Sequence, residues 1–249
     1  MNDPAPIRTD TITVPDNYCG PSNVGNGGYM SALLARYIEG TAQINLRAPA
    51  PLDKPLTVEV FPENRARLRD GETLIAEGMA GEVNLTPPPA PDWEAAHAAS
   101  LRSPMRTNHP YANCFGCGPE RGPTEGLHIF SDQDNGQLTN IGTWEPHAGL
   151  APTGQPVPDE MIWIALDCGN GSLPAIPAWE RWGKNTLVVT GMISASIEGR
   201  VIVGERYTTR SWLVETDGRK THMGTAVYDA QGGPVARARS LWMALVPRE

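Results

Sequence analysis

The chain has 249 residues, of which 40% are hydrophobic and 26 are glycine, a globular composition with enough apolar mass for a core and a length that suits one large domain or two small ones. With 20 basic against 28 acidic residues the net charge is −8, which argues against a nucleic-acid binder. No apolar run is long enough to cross a bilayer, no secretory leader is visible, and the four cysteines (Cys19, Cys114, Cys117, Cys168) are too few for a disulfide scaffold, so the sequence reads as a cytoplasmic protein without a membrane partner.

The first expected strand spans Ile7 to Val14. A glycine-rich turn, Gly25 to Gly28, then leads into YMSALLARYIEG. There Met30, Leu33, Leu34, Tyr37 and Ile38 recur at helical spacing, predicting a helix with one apolar face that Gly40 would end. Strand-like runs follow at Ala42 to Arg47, Leu56 to Phe61 and Thr73 to Val83, the last preceded by an Asp70-Gly71 hairpin turn. Pro87, Pro88, Pro89 and Pro91 then exclude both a helix and a central strand, so a seam is expected here, interrupted by a short helical patch from Asp92 to Leu101.

Beyond the seam, Leu127 to Phe130 and Gln137 to Trp144 flank an Asn135-Gly136 turn. In PVPDEMIWIALDCG, Pro158 suits the first helical turn, Asp159 and Glu160 suit the positive helix start, and Gly169 suits the end. Met161 to Leu166 is apolar on every side, which predicts a helix buried all round. Strand-like runs at Thr186 to Ile197, Arg206 to Glu215, Lys220 to Tyr228 and Pro234 to Leu245 complete the chain. Each half therefore combines strands with one glycine- or proline-led helix, and an antiparallel sheet is the partner available to bury it.

These segments resemble a known family. GNGGYMSALLA resembles the glycine-led central helix of hot-dog thioesterases, and CFGCGPERGPTEGLHIF resembles the segment that opens such domains. VPDEMIWIALDC carries a carboxylate late in its helix, similar to the phenylacetate-pathway type of acyl-CoA thioesterase, and DGRKTHMGTAVYDAQGGPVARARSLWMAL resembles the long closing hairpins. Their order implies an α+β double hot-dog of the thioesterase-like superfamily, with two antiparallel sheets each wrapped around a central helix. The implied organisation is an N-terminal unit at 1–86, a proline-rich connection at 87–110 and a C-terminal unit at 111–249.

Thioester cleavage needs a group that stabilises the oxyanion and a group that supplies or activates the nucleophile. A glycine-led helix start offers close approach to unpaired N–H groups and a partial positive charge. The resemblance implies that Gly27 or Gly28 polarises the carbonyl, with Asn26 orienting it where the family often has histidine. The alternative is that GNGG merely turns the chain. Asp167 is the only charge in MIWIALDC; burial and the negative helix end should raise its pKa. It would be general base or nucleophile, or else cap a loop or pair an arginine. In the family the acid lies seven residues after the second helix-start glycine. Seven back from Asp167 is Glu160, and seven on from Gly28 is Ala35. The first half thus keeps glycines without the acid and the second keeps the acid without glycines, implying one composite site per chain.

Tyr29 and Trp163 read as core residues that could line an acyl pocket, and Thr190 as a residue facing the site. Cys114 and Cys117 have metal-ligand spacing with His109 nearby, but no second CxxC or HxxxH pair accompanies them, so no metal site is expected. Cys168 lacks an adjacent histidine to activate it. The resemblance implies a cofactor-free hydrolase of acyl-CoA or acyl-carrier-protein thioesters, with scope for a homo-oligomer of double hot-dog chains. The rivals are a hot-dog enoyl-thioester hydratase or dehydratase, disfavoured because no histidine precedes either helix, and a non-catalytic acyl-thioester or hydrophobic-ligand binder.

Overall fold

The computed structural model describes residues 4–21 and 23–246. In chain order the elements are β1 (Arg8–Thr13), α1 (Gly27–Ala35), β2 (Ala42–Leu46), β3 (Pro55–Phe61), β4 (Arg65–Asp70) and β5 (Thr73–Ala80). Next come α2 (Trp93–Arg102), β6 (Phe130–Gln133), β7 (Thr139–Trp144), α3 (Asp159–Cys168) and α4 (Ile176–Trp182). The long strands β8 (Val188–Ile197), β9 (Tyr207–Asp217), β10 (Lys220–Tyr228) and β11 (Pro234–Ala244) follow.

The strands form one antiparallel sheet of 11, in the order β1-β3-β4-β5-β2-β8-β11-β10-β9-β7-β6. This corrects the expectation of two separate sheets. The halves fuse where β2 pairs with β8, in the register Ala42↔Ala195, Gln43↔Ser194, Ile44↔Ile193 and Asn45↔Met192. The edges of β2 and β8, which two isolated sheets would leave unpaired, satisfy each other there, and β1 and β6 remain the outer edges.

α1 and α3 run antiparallel against each other over this sheet. Their approach is close because Gly28 has no side chain: a Cβ there would lie 2.7 Å from the Trp163 carbonyl oxygen and 2.8 Å from Ile164 Cα. α3 is buried from Glu160 through Cys168, as its all-round apolar sequence predicts. α1 differs from expectation in two respects. Gly28 through Leu34 are all buried, so the helix has no single apolar face; α3 covers one side and the sheet the other. It also stops at Ala35, short of Gly40, and the Tyr37 and Ile38 N–H groups bond back to the Leu34 and Ala35 carbonyls at 3.1 and 3.0 Å in a tight turn.

Smaller differences have local causes. Pro158 precedes α3 as its extended cap residue instead of occupying its first turn. β4 was not expected because RARLRD carries three arginines; Ala66 and Leu68 alternate with them and are buried. Leu127 and Ile129 are buried but lie before the strand, which begins at Phe130. α2 sits against β6 and β7, its Ala96 and Ala99 meeting Ile141. The neighbouring Asn140 reaches the α3 side, where its amide donates to the Asn170 carbonyl at 3.0 Å. α2 therefore covers the opposite face of the sheet edge. Among the described residues no helix is long and apolar enough to cross a membrane.

Candidate active site

The start of α1 and the end of α3 meet because the two helices are antiparallel. Asn26 caps α1: its Oδ1 accepts the Tyr29 N–H at 3.0 Å. The Gly28 N–H donates to Asp167 Oδ2 at 3.1 Å, and the Thr190 hydroxyl donates to Asp167 Oδ1 at 2.6 Å. Thr190 is aimed by a bulge in β8, where pairing with β11 skips Gly191 between Leu241↔Met192 and Trp242↔Thr190. Asp167 is only 4% exposed. Burial is the main reason its pKa is pushed up to about 6; the nearby Cys114 sulfur also raises it, while the Thr190 and Gly28 hydrogen bonds pull it down.

This places a carboxylate more basic than an exposed aspartate beside a helix start. It also changes the expected use of the glycines. The Gly28 N–H is taken by Asp167 itself, so it orients the carboxylate. Among the described residues, none accepts from the Gly27 N–H, which lies at the positive end of α1 and lines the same cavity as Asp167. Gly27 is close to the acid as well, since a Cβ there would lie 3.3 Å from Asp167 Oδ2.

The cavity has a volume of about 1110 Å³ and is lined largely by apolar side chains, among them Met30, Leu46, Met105, Trp179, Leu187 and Trp242. Lys184 and Arg219 also line it, and neither has an ion-pair partner among the described residues. Much of this wall had no sequence signal, because α4 and the loop into β8 lack helical or alternating periodicity.

Of the residues expected at the site, Asn26, Gly27, Asp167 and Thr190 line the cavity and Gly28 touches the acid; Tyr29 and Trp163 do not join them. Tyr29 is buried against Tyr18, the rings stacked 3.9 Å apart. One residue beyond Gly28 on the helix, it points about 100° away from it. Trp163 lies one turn before Asp167 and lines a second cavity of about 580 Å³ with Ala35, Arg36, Asp159 and Glu160. There Arg36 forms an ion pair with the nearly buried Glu160. Asn26 is not free to orient a substrate carbonyl: its Oδ1 is the helix cap, and its Nδ2 faces the sulfurs of Cys114 and Cys168, 3.6 Å from each.

No protein-family model and no curated protein matches the chain. Solved structures do, over almost its whole length. A protein from Alicyclobacillus acidocaldarius described as having a hot dog fold is 11% identical, with a TM-score of 0.64 and coverage of 97% of this chain and 95% of its own. A tesB protein from Mycobacterium avium subspecies paratuberculosis is 14% identical, with a TM-score of 0.57 and coverage of 96% and 93%. An acyl-CoA thioesterase II from Mycobacterium marinum is 12% identical, with a TM-score of 0.54 and coverage of 96% and 95%. These likenesses, at 11–14% identity, show a hot-dog fold spanning nearly the whole chain.

Proposed function

We propose that the chain is a thioesterase that hydrolyses acyl-CoA or acyl-carrier-protein thioesters at a single composite site. The carrying observation is the buried Asp167 carboxylate, held by Thr190 and the Gly28 N–H, beside the unpaired N–H of Gly27 at one end of an apolar cavity. On this reading the helix start comes from the unit at 1–86 and the acid from the unit at 111–249, with 87–110 as the connection.

Asp167 acts as general base. A water attacking the thioester carbonyl gives its proton to Asp167, and the carbonyl oxygen takes up the negative charge. The Gly27 N–H, at the positive end of α1, stabilises that oxyanion. Collapse of the adduct expels the thiolate, which recovers the proton from Asp167; the products are a carboxylic acid and a free thiol. The apolar lining suits the acyl chain, and Lys184 and Arg219 suit the phosphates of coenzyme A. The solved structures named as thioesterases support the reaction class by fold likeness.

Thiol release from short, long and aromatic acyl-CoAs tests this directly. Release that Asp167→Asn removes supports the proposal. Hydration of crotonyl-CoA without thiol release would assign the hydratase reading, and binding of acyl-CoA without either reaction the ligand-binder reading.

A further inference from the structure

The sequence pairs only Cys114 with Cys117, but the fold adds a third thiol. The sulfurs of Cys114, Cys117 and Cys168 all lie within 4.8 Å of one another. Cys114 and Cys117 are 3.7 Å apart, and Cys114 and Cys168 are 3.9 Å apart. A tetrahedral metal with bonds to sulfur of about 2.3 Å requires its sulfurs to be about 3.8 Å apart. A disulfide instead needs about 2.05 Å. Two of the three separations match that geometry, and the third, no more than 4.8 Å, reaches it with a shift of about 1 Å or less, so the spacing suits three ligands around one ion far better than a disulfide.

The construction of the cluster points the same way. Cys114 and Cys117 sit on a turn closed by the Gly118 N–H, which donates to the Cys114 carbonyl at 2.8 Å. Gly116, between them, lies flat on the end of α3, where any side chain would collide with the Cys168 sulfur and with Ile164. Fixed N–H donors from outside the cluster aim at all three sulfurs. The Tyr111 N–H donates to His109 Nδ1 at 2.8 Å, which leaves the ring proton on Nε2. That Nε2 lies 3.1 Å from Cys117 Sγ. Asn26 Oδ1 is held by the Tyr29 N–H, which turns Nδ2 toward Cys114 and Cys168 at 3.6 Å each. Such donors match thiolates better than thiols, and three thiolates packed together require a cation.

We propose that Cys114, Cys117 and Cys168 bind one thiophilic divalent metal ion, zinc by ligand softness and tetrahedral spacing, with His109 and Asn26 as hydrogen-bond donors to the ligating sulfurs. The fourth position is left to the side of the cavity that all three cysteines line, where a solvent ligand would complete the tetrahedron. Binding displaces the three thiol protons to solvent. The ion ties the 111–118 turn to the end of α3, and through Asn26 to the start of α1, so it braces the helix junction from which Gly27 and Asp167 project. This inference does not depend on the reaction proposed above.

The test is metal binding by the full chain, reduced and made metal-free under nitrogen. Zinc is titrated in competition with the chromophoric chelator 4-(2-pyridylazo)resorcinol, and cobalt(II) is added separately for its absorption spectrum. The expected result is about one zinc per chain, tetrahedral cobalt bands with thiolate-to-cobalt charge transfer, and a melting temperature that rises with zinc concentration. Cys117→Ser and Cys168→Ser should lose the charge-transfer band, and Cys19→Ser, outside the cluster, should keep it. His109→Phe should weaken zinc binding by roughly 10- to 100-fold. Should Cys168→Ser fail to fold, the part-exposed Cys117→Ser carries the test by itself, with circular dichroism reporting its fold. No zinc retained against the chelator, octahedral cobalt bands, or equal binding by folded Cys117→Ser each overturn the proposal.

Discussion

One added methyl group separates the packing role of one glycine from the chemical role of its neighbour. In Gly28→Ala the new carbon would meet the Trp163 carbonyl oxygen at 2.7 Å and Ile164 Cα at 2.8 Å, both backbone atoms of a buried helix that cannot rotate away. α1 and α3 must separate by several tenths of an ångström, and overpacking of this kind costs about 1–3 kcal/mol. Alanine's better helix propensity returns at most about 1 kcal/mol. With both clashing atoms on backbone the cost lies in the upper part of that range, about 2–3 kcal/mol, and the net loss of about 1–2 kcal/mol lowers the melting temperature by roughly 2–8 °C for a chain of this size. In Gly27→Ala the nearest atoms are Asp167 Oδ2 and Leu46 Cδ1, each at 3.3 Å, and both belong to side chains that can yield. That variant should melt within about 2 °C of the parent, yet its methyl crowds the carboxylate and the free N–H. Its kcat/KM should fall at least tenfold, part of the loss of roughly 10²- to 10³-fold that follows removal of a whole oxyanion donor. Differential scanning fluorimetry and thiol release read the two effects separately. An unchanged melting temperature for Gly28→Ala, or unchanged turnover for Gly27→Ala, would refute the division of labour.

Asp167→Asn keeps an acceptor for the Gly28 N–H and a partner for Thr190, so it should fold while kcat drops roughly 10²-fold or more; unchanged hydrolysis by the folded variant rules out the base. Thr190→Val removes the 2.6 Å hydrogen bond and frees the carboxylate to rotate, so kcat should fall with little change in KM; a change confined to KM would make Thr190 a substrate contact instead. Arg219→Ala should raise KM for acyl-CoA roughly two- to fivefold and leave it unchanged for acyl thioesters of N-acetylcysteamine, which lack the phosphates; equal effects on both would remove Arg219 from coenzyme recognition. Calorimetric titration with a non-hydrolysable acyl-CoA analogue should give one ligand per chain, and two equivalent ligands would contradict a single composite site.

The elements most legible in the sequence are those with strong local patterns. The turns Asp70-Gly71 and Asn135-Gly136 mark hairpins because their glycines adopt φ of 57° and 74°, which other residues rarely take. The all-apolar run before Asp167 announced the buried helix α3. β4 was illegible because its arginines mask the alternation of Ala66 and Leu68, and the early end of α1 because Tyr37 and Ile38 continue the helical spacing into a turn. The continuity of the sheet was equally hidden. It depends on β2 meeting β8, a pairing between strands about 150 residues apart that no local pattern encodes.

The site shows the same limit and one way past it. Residue types and short spacings identified Cys114 with Cys117, but Cys168 belongs to another element, and its membership follows only from where α3 ends. Asp167 and Gly28 are farther apart still, by 139 residues, yet a comparison between the two helices links them. Two antiparallel helices on one sheet make two junctions, each pairing one helix start with the other helix's end. At the first, Gly28 and Asp167 meet directly, and among the described residues no basic side chain pairs with the carboxylate. At the second, Ala35 offers no acid, and Glu160 occupies the helix start as an ion pair with Arg36. That carboxylate is already committed to Arg36 and sits at the helix start, so it is not free to act as a base on water as Asp167 can. Opposite chemistry at the two junctions confines the proposed reaction to the one that holds Asp167.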